Sequence, residues 1–422
     1  MQRHVVVVGA GFAGLNAVRV LARNRQVRVT LVDRSNYHLF FPLLYQVAIA
    51  GLEAPQVAYP IRAFLRRYPE VRFIQGQVEA VDLAAKTILV DGAPLVYDSL
   101  IVGSGSRTAD FGVPGVAEHA LGLKSLSEAM TFRDRVLSAC EEAARTSDPD
   151  RRRALLTFVV VGGGPTGVEL AGALAELRQH VIRRDYPELD LAEVRVVLIE
   201  AAPRILTHLA EGSSAHAARI LIRLGVELHT DTAVESVAPE GIRTKDSGLI
   251  ASYMTVWAAG VAGAPLPGLP APERAGRLST TAQLSLPDHR EVYIVGDTNH
   301  LEDPATGRAY PQVAPLAVQQ GTGAANNILN ELRGQQLAPF RYRNKGTMAT
   351  IGRNQAVAEM GWLRLRGFPA WAAWLGIHLI ELIGFRNRMM VLTNWAYSYL
   401  TYDYAVRIMH HRAAFPPQHD DR

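Results

Sequence analysis

The sequence is poor in cysteine: Cys140 is the single cysteine among 422 residues. One cysteine cannot form a disulfide within a chain, a CxxC redox pair or a cysteine-ligated metal cluster, so these kinds of site are excluded and we predict no metal site. Cys140 falls in a predicted helix, where we expect a small buried apolar side chain.

The sequence also lacks a large excess of either positive or negative charge. Lys and Arg number 44 against 40 Asp and Glu, and the formal charge of +4 is too small to make nucleic acid the expected partner. No apolar segment with a cleavage site precedes the strand-like run Val5 to Val8, so we expect a cytoplasmic protein without a secretory signal. The 48% hydrophobic content is ordinary for a folded α/β chain of two or three domains.

One pattern of strand, glycine loop, helix and strand occurs twice. The first copy runs from His4 to an acid at Asp33, and the second runs from Thr157 to an acid at Glu200. The residues predicted to bind nucleotides are Gly9, Gly11, Phe12, Ala13, Gly14 and Asp33 in the first copy, and Gly162, Gly164, Pro165, Thr166, Gly167 and Glu200 in the second.

The chemistry of each copy suits a dinucleotide. In a GxGxxG turn the first glycine permits the tight turn, the second admits the pyrophosphate, and the third lets the helix pack on the strand. The helix N-terminus then faces the anion with free N–H groups, and the acid binds ribose hydroxyls. Plain tight βα turns are the alternative for each copy.

Two dinucleotide sites in one chain are typical of a flavin that takes hydride from a nicotinamide. We therefore expect FAD at the first loop and NADH at the second. The Glu200 carboxylate would repel the 2′-phosphate of NADPH, which favours NADH. Arg204 lies nearby in the sequence and could bind that phosphate, so NADPH is not excluded.

With further motifs the chain resembles the type II NADH dehydrogenases, the non-proton-pumping NADH:quinone oxidoreductases of the two-dinucleotide-binding-domain flavoproteins. The motifs that carry this resemblance are Phe40–Ala48 (FFPLLYQVA), Phe111–Gly115 (FGVPG), Gly164–Ala171 (GPTGVELA), Tyr293–Asp297 (YIVGD), Lys345–Gly352 (KGTMATIG) and Gly384–Arg388 (GFRNR).

The resemblance implies an α/β fold of two Rossmann-like dinucleotide-binding domains, for FAD and NADH, plus a C-terminal amphipathic helical segment that contacts the membrane. On this basis we expect the FAD-binding domain at 1–115 and 285–345, the NADH-binding domain at 116–284 and the membrane-associating region at 346–422.

The resemblance also implies roles for single residues. Asp297, after Gly296, corresponds to the aspartate that binds the flavin's ribityl chain; a plain turn is the alternative. Ser104, Gly105 and Ser106 stand where the family has a small-residue turn near FAD, often Ala-Thr-Gly. Glu169 corresponds to a glutamate near the nicotinamide and flavin, with a role in substrate positioning or proton supply, or else it only complements the helix dipole.

Gln319 and Lys345 are the candidates on the acceptor side. In the family an Ala-Gln-x-x-x-Gln element adjoins the quinone pocket, and here Gln319 matches its second glutamine while Pro315 replaces the first. The alternatives are that Gln319 and Gln320 cap or pair within their helix, and that Lys345 is a solvated surface lysine.

The single cysteine narrows the electron acceptor. Disulfide reductases need a cysteine pair beside the flavin and sulfide:quinone oxidoreductases need cysteines to carry sulfur, so Cys140 alone can serve neither reaction. The resemblance to the type II NADH dehydrogenases implies a quinone as the acceptor, either menaquinone or ubiquinone. A soluble NAD(P)H-dependent flavin reductase that passes electrons to a protein carrier or to oxygen is the alternative. A flavoprotein that senses redox state without turnover is a third hypothesis.

Aromatic residues concentrate near the C-terminus. Four of the five tryptophans lie there, at Trp362, Trp371, Trp374 and Trp395, and residues 362–409 hold five arginines against two acids. The apolar run 367–383 is 17 residues long and contains His378 and Glu381, so we expect it to lie on a membrane rather than cross it. Trp371 and Trp374 are expected to carry that contact; packing within the chain or a homodimer interface is the alternative.

Overall fold

The computed structural model describes residues 2–245, 248–403 and 406–416. The helices in this part are α1 (Phe12–Leu21), α2 (Leu44–Ala48), α3 (Ala54–Val57), α4 (Ile61–Leu65), α5 (Val116–His119), α6 (Leu126–Ala143), α7 (Pro149–Leu155), α8 (Pro165–Leu177), α9 (Arg183–Asp185), α10 (Glu211–Arg223), α11 (Ala314–Leu332), α12 (Phe368–Glu381) and α13 (Phe385–Thr401). A π-helical turn, Arg178–Ile182, follows α8, and a 3-10 turn occupies Gly296–Thr298.

The strands of the described residues are β1 (Arg3–Val8), β2 (Val27–Asp33), β3 (Tyr37–Leu39), β4 (Ala58–Pro60), β5 (Arg72–Gln75), β6 (Val78–Asp82), β7 (Thr87–Val90), β8 (Ala93–Val96), β9 (Ser99–Val102), β10 (Ser106–Thr108), β11 (Thr157–Val161), β12 (Arg195–Ile199), β13 (Val226–His229), β14 (Val234–Ala238), β15 (Gly241–Thr244), β16 (Gly248–Ala251), β17 (Met254–Trp257), β18 (Val261–Gly263), β19 (Leu278–Ser279), β20 (Val292–Ile294), β21 (Asn299–His300), β22 (Thr347–Gly352), β23 (Gln355–Met360) and β24 (Leu363–Arg366).

The first of two compact units comprises Met1–Leu39, Tyr59–Ala109 and Val261–Lys345. Its main sheet has the strand order β20-β9-β1-β2-β5, and the register pairs Val5 of the central strand with Val29 and Ser99. Because β1 is covered on both faces, Val5 to Val8 form a continuous buried apolar run rather than an alternating one. The antiparallel sheet β6-β7-β8 adds its apolar side chains to the same core.

Helices α1 and α11 of the first unit pack at very short range. A Cβ atom placed on Gly321 of α11 would lie 2.0 Å from the carbonyl oxygen of Ala13 in α1. Only glycine allows this approach, so the helix that opens at the first glycine loop is fixed by a main-chain contact.

The second unit comprises Phe40–Ala58, Asp110–Gly260 and Gly346–Arg422. Its parallel sheet has the order β13-β12-β11-β17, and Val159 of the central strand pairs with Val197 and Thr255. The antiparallel sheet β22-β23-β24 packs on α8, where a Cβ on Gly172 would lie 1.8 Å from the carbonyl oxygen of Ile351. Cys140 on α6 is fully buried, as expected, and burial raises the pKa of its thiol to about 12.

These units do not follow the expected boundaries at 115, 284 and 345. Residues 261–284 group with the first unit because β18 pairs with β10, and Leu266 and Leu269 pack on that unit's core. Residues 40–58 group with the second unit because the Asn387 side chain donates to the carbonyl oxygens of Pro55, Gln56 and Ala58. The C-terminal region joins the same unit rather than standing apart.

The α1–α11 contact generates a prediction. Gly321→Ala forces the two helices apart, and we expect it to destabilise the protein by about 1–3 kcal/mol, as overpacking does. Gly323→Ala, two residues along the same helix, is the matched control: its Cβ would sit at an ordinary 3.5 Å from Leu284 and Phe340, so we expect no loss or a gain of about 0.5–1 kcal/mol. Thermal unfolding followed by circular dichroism measures both, and equal melting temperatures for the two variants would contradict the close approach.

Candidate functional site

The first glycine loop joins β1 to α1. Gly9 has a φ of +94°, and a Cβ on it would lie 2.2 Å from the carbonyl oxygen of Gly103. A Cβ on Gly14 would lie 1.7 Å from the carbonyl oxygen of Gly9, whereas a Cβ on Gly11 would meet no atom within 4 Å. The outer two glycines therefore pack the turn, and the middle one leaves the backbone open to the phosphates of a dinucleotide.

Helix α1 begins at Phe12 with Gly11 at its N-cap and no side-chain hydrogen bond to the cap. Its first N–H groups are thus directed at the open face of the loop, where they suit an anion. The ring of Phe12 packs edge-to-face on His38 at 5.1 Å, and Ala13 is buried, so these two residues support the loop by packing.

Asp33, at the end of β2, is tied to this loop. Its two carboxylate oxygens accept hydrogen bonds from the N–H groups of Ala10, at 2.6 Å, and Ser35, at 2.7 Å. Burial raises the pKa of Asp33 and the two N–H donors oppose that rise. The carboxylate is thereby fixed at the edge of the sheet beside the glycine loop, where a ribose can bind.

The second glycine loop repeats this geometry in the other unit. Gly162 has a φ of +110° and leaves no room for a Cβ against the main chain of Ala258. A Cβ on Gly167 would lie 1.8 Å from the carbonyl oxygen of Gly162, and one on Gly164 would meet no atom within 4 Å. The loop therefore fits a dinucleotide by the same test as the first.

Helix α8 begins at Pro165, a position where the missing N–H of proline costs no hydrogen bond. Thr166 follows as an exposed residue of the first turn. Gly164 is the N-cap and carries no side-chain cap, so here too the first turn offers its N–H groups to an anion.

Glu200 holds the second loop as Asp33 holds the first. Its two carboxylate oxygens accept from the N–H groups of Gly163 and Ala202. Arg204, which the sequence leaves open as a phosphate ligand, instead donates to the carbonyl oxygens of Leu206, Thr207 and Leu209. Its guanidinium therefore forms hydrogen bonds within its own loop rather than facing a phosphate site.

The Gly-Asp turn after β20 lies in the first unit beside the loop that follows β9. Asp297 accepts a hydrogen bond from the Ser106 hydroxyl at 2.6 Å, and the Thr298 hydroxyl donates to the carbonyl oxygen of Gly105 at 2.8 Å. Ser104 and Thr298 share a hydroxyl hydrogen bond at 3.1 Å. The structure therefore brings 104–106 and 296–298 together, and within this small-residue turn it is the Ser106 hydroxyl that contacts Asp297.

Gly296 also meets the first glycine loop, since its Cβ would lie 3.6 Å from that of Ala13. Its N–H donates to the Gln320 side chain at 2.8 Å, and the Gln320 amide donates onward to Asn299 at 2.8 Å. Gln320 is fully buried. The second glutamine of the pair is thus the one that fixes the Gly-Asp turn, and only its buried contacts, which are distant in sequence, reveal this.

Gln319 points elsewhere. Its amide donates to the carbonyl oxygen of Arg343 and accepts from the N–H of the same residue, at 3.0 and 2.9 Å. Pro315 occupies the first turn of α11, which explains why a proline is tolerated there. Lys345 is exposed at the end of the segment that Gln319 anchors.

Glu169, in the second unit, is a buried acid on α8 with 9% of its surface exposed. Its Oε1 accepts hydrogen bonds from the N–H of Thr350 at 3.3 Å and from the indole Nε1 of Trp374 at 3.1 Å. Burial raises the pKa of Glu169 to about 8, against the lowering effect of the two donors. The side chain therefore holds a proton near neutral pH and can release it at little cost.

The expectation that Trp374 carries a membrane contact is wrong. Its side chain is 1% exposed, because α12 turns it inward to Glu169 and to the ring of His378. Trp371 is half-buried against the ring of Tyr399. Amphipathicity on a short, apolar helix does not tell which tryptophan faces the core, so the sequence alone could not separate them.

An exposed apolar stripe runs along α13. It consists of residues at spacings of three and four, namely Phe385, Met389, Leu392, Ala396 and Leu400. The opposite face is buried at Asn387 and Val391. Exposed Phe368, Ile377 and Ile380 on α12, with Trp362 at 92% exposure, extend the unpartnered apolar surface of this unit. Among the described helices, none combines the length and apolarity that crossing a bilayer would take.

Comparison with known proteins identifies the family to which this chain belongs. Residues 3–321 match the family described as pyridine nucleotide-disulphide oxidoreductase, and residues 344–401 match the NDH2 C-terminal domain. The type II NADH:quinone oxidoreductase Ndh of Mycobacterium tuberculosis is 40% identical over 95% of this chain and 89% of its own. The external NADH-ubiquinone oxidoreductase 2 of Saccharomyces cerevisiae mitochondria is 30% identical over 94% and 81%.

Solved structures share the fold. NDH2 of Plasmodium falciparum in complex with NADH superposes with a TM-score of 0.89 at 19% identity, covering 97% of this chain and 100% of that one. The sulfide:quinone oxidoreductase of Aquifex aeolicus gives a TM-score of 0.73 at 16% identity, covering 96% of both chains. Two Rossmann-like domains and a helical C-terminal segment, as expected from the sequence, are therefore confirmed, and the chain belongs to the type II NADH:quinone oxidoreductases of the pyridine nucleotide-disulphide oxidoreductase family.

Proposed function

We propose that this chain oxidises NADH and reduces a membrane quinone, menaquinone or ubiquinone, with FAD as its bound cofactor. The observation that carries the proposal is the pair of open glycine loops, each fixed by its own acid, in a chain that lacks a cysteine pair. Two such loops suit a flavin nucleotide and a nicotinamide nucleotide. The missing cysteine pair leaves a quinone rather than a disulfide as the acceptor, as in the relatives named above.

The first unit fits FAD. Gly9, Gly11 and Gly14 would admit its pyrophosphate, and Asp33 would accept from an adenosine ribose hydroxyl. Asp297, held by Ser106, would accept from the ribityl chain. The chemistry that bound FAD supplies is acceptance of hydride from NADH and release of two electrons, which a quinone takes up with two protons.

The second unit fits NADH. The N–H groups at the start of α8 would bind its pyrophosphate, and Glu200 would accept from the adenosine ribose hydroxyls. A 2′-phosphate would meet the Glu200 carboxylate, while the Arg204 guanidinium is occupied by three carbonyl oxygens. This arrangement favours NADH over NADPH.

Three residues are proposed to serve quinone reduction. Glu169 would supply a proton, which its buried carboxyl holds near neutral pH. Gln319 would act through the main chain of Arg343, orienting the segment that ends at Lys345. Lys345, being exposed and cationic, would meet the developing charge on a reduced acceptor.

The apolar stripe on α13 is proposed to lie on the cytoplasmic face of the cell membrane. Burial of exposed Phe, Met and Leu side chains in the headgroup boundary is favourable by about 25 cal/mol per Å² of apolar area. Peripheral attachment of this kind suits an enzyme that takes a water-soluble donor and a lipid-soluble acceptor.

Anaerobic titration tests the function directly. Adding NADH to the purified holoprotein should bleach the yellow flavin absorption, and adding a menaquinone or ubiquinone analogue should restore it. The quinone should reoxidise the protein faster than ferredoxin or oxygen does. A bleached protein that only oxygen or a protein carrier reoxidises would identify a soluble reductase instead, and a protein that NADH does not bleach would be a sensor.

Nicotinamide preference depends on Glu200. Glu200→Gln removes the negative charge that repels a 2′-phosphate, so we expect kcat/KM for NADPH relative to NADH to rise at least about tenfold. Arg204→Ala is the control, because its guanidinium already serves loop carbonyls, and we expect the ratio to stay within about twofold of the parent value. Steady-state kinetics with both nucleotides measure the ratio. A fall in NADPH use in Arg204→Ala would show that this arginine does bind the phosphate.

Membrane attachment depends on the stripe. Leu392→Glu places a charge in its middle, and we expect binding to anionic liposomes to weaken at least about tenfold. Turnover of a long-chain quinone embedded in lipid should fall in parallel, while turnover of a short water-soluble analogue is kept. Ile222→Glu, at an exposed apolar position on α10, is the matched control and should leave both unchanged. If Leu392→Glu instead dissociates a dimer in sedimentation velocity without affecting liposome binding, the stripe is an interface between copies.

A further inference from the structure

Trp374 reaches Glu169 from 205 residues away in sequence. The indole N–H and the Thr350 N–H both donate to Oε1, and Oε2 of Glu169 accepts no hydrogen bond from any described residue. Both side chains are buried. One carboxylate oxygen is therefore doubly engaged, and the other is left to carry the proton.

The indole is itself held in place by its own helix and by its neighbours. The His378 ring stacks on it at 4.1 Å with an interplanar angle of 27°, and His378 Nδ1 donates to the Trp374 carbonyl oxygen at 2.7 Å. The rings of Trp395 on α13 and Tyr45 on α2 lie 5.9 and 6.3 Å away. An indole packed on three sides has one orientation, so its N–H is a fixed donor rather than a mobile one.

We propose that Trp374 is a positioning residue for the reacting proton: it holds Oε1 of Glu169, leaves Oε2 to bind and release the proton, and makes this geometry depend on the seating of α12. The proposal rests on the proton role proposed above for Glu169. The exposed apolar surface that α12 shares with α13 is thus connected, through one indole, to a buried acid.

The surroundings of Glu169 contain few ionisable groups that could obscure this effect. On the elements that pack around it, β22 has none, α2 offers Tyr45, and α12 offers His378 and the exposed Glu381. Burial lowers the pKa of His378 to about 4, so the ring is neutral at physiological pH. Glu176 lies two turns along α8. The pKa of Glu169 is set by burial, which raises it, and by the Thr350 and Trp374 N–H groups, which lower it.

Removal of the indole N–H should change the pKa of Glu169 in one direction. The N–H stabilises the carboxylate, so Trp374→Phe, which keeps a ring but removes the donor, should raise the pKa of Glu169 by about one unit. The carboxylic C=O stretch in infrared spectra of the holoprotein reports this titration, and its absence in Glu169→Gln assigns it. Quinone reduction that needs protonated Glu169 is lost as pH rises through its pKa, so the alkaline limb of kcat with a water-soluble quinone should move up by the same amount.

Trp371→Phe, three residues before Trp374 on α12, is the matched control, since it also replaces an indole by a phenyl ring but at a ring that packs on Phe368 and Tyr399. We expect neither its infrared titration nor its alkaline limb to move. Where Trp374→Phe does not fold, site-specific incorporation of 3-benzothienylalanine at position 374 keeps the indole shape without the N–H and provides the same comparison.

Three outcomes overturn the proposal. They are an unmoved infrared titration in Trp374→Phe, an equal shift in Trp371→Phe, and a titration that moves in Trp374→Phe while the alkaline limb of kcat does not. In the last case Glu169 does not supply the proton, yet NADH-driven quinone reduction by the parent protein stands. Failure of the proposed function is different: it appears in the parent protein as absent flavin bleaching by NADH.

Discussion

The structure depends on a main-chain constraint: two helices must begin with their N–H groups uncovered. Helices α6 and α7 begin with side-chain caps, the Ser125 and Glu128 capping box and Asp148 respectively. Helices α1 and α8 instead have glycine at the N-cap and no side-chain cap, which costs about 0.3 kcal/mol each relative to a Ser, Thr, Asp or Asn cap. Asp33 and Glu200 offset part of this by holding the loops from one side, so each loop keeps its shape while its anion-facing side stays open.

Local physics made the two glycine loops and their acids predictable from the sequence, because each lies within one strand-turn-helix-strand unit. For Ser106, Gln320 and Trp374 the sequence did not indicate which group each side chain contacts. Their partners lie 191, 24 and 205 residues away, and no periodicity specifies which buried polar group meets which. The sequence also showed no sign that 40–58 groups with the C-terminal helices. That grouping depends on one asparagine, Asn387, which donates to three main-chain carbonyl oxygens far away in the sequence.

Fewer arginines of the C-terminal segment are free to bind an external partner than the sequence suggests. Arg388 donates to the carbonyl oxygens of Ile380 and Leu382 at the end of α12, and Arg407 pairs with Asp185 and Asp403. These two arginines therefore stabilise contacts within the protein and are not free to bind an anionic surface. Each free arginine near an anionic surface contributes about 1 kcal/mol to binding, so with fewer free arginines the proposed membrane attachment would depend more on apolar burial.

Helix α12 serves two environments at once, and this explains its weak amphipathic pattern. Trp374 and Ala370 are buried, Phe368, Ile377 and Ile380 are exposed, and nearly all of these side chains are apolar. A helix with water on one side would separate polar from apolar residues, whereas one with a core on one side and an apolar surface on the other would not. The lack of such a separation therefore fits the membrane contact proposed for this surface, whereas a helix whose outer face meets water would carry more charge on that face.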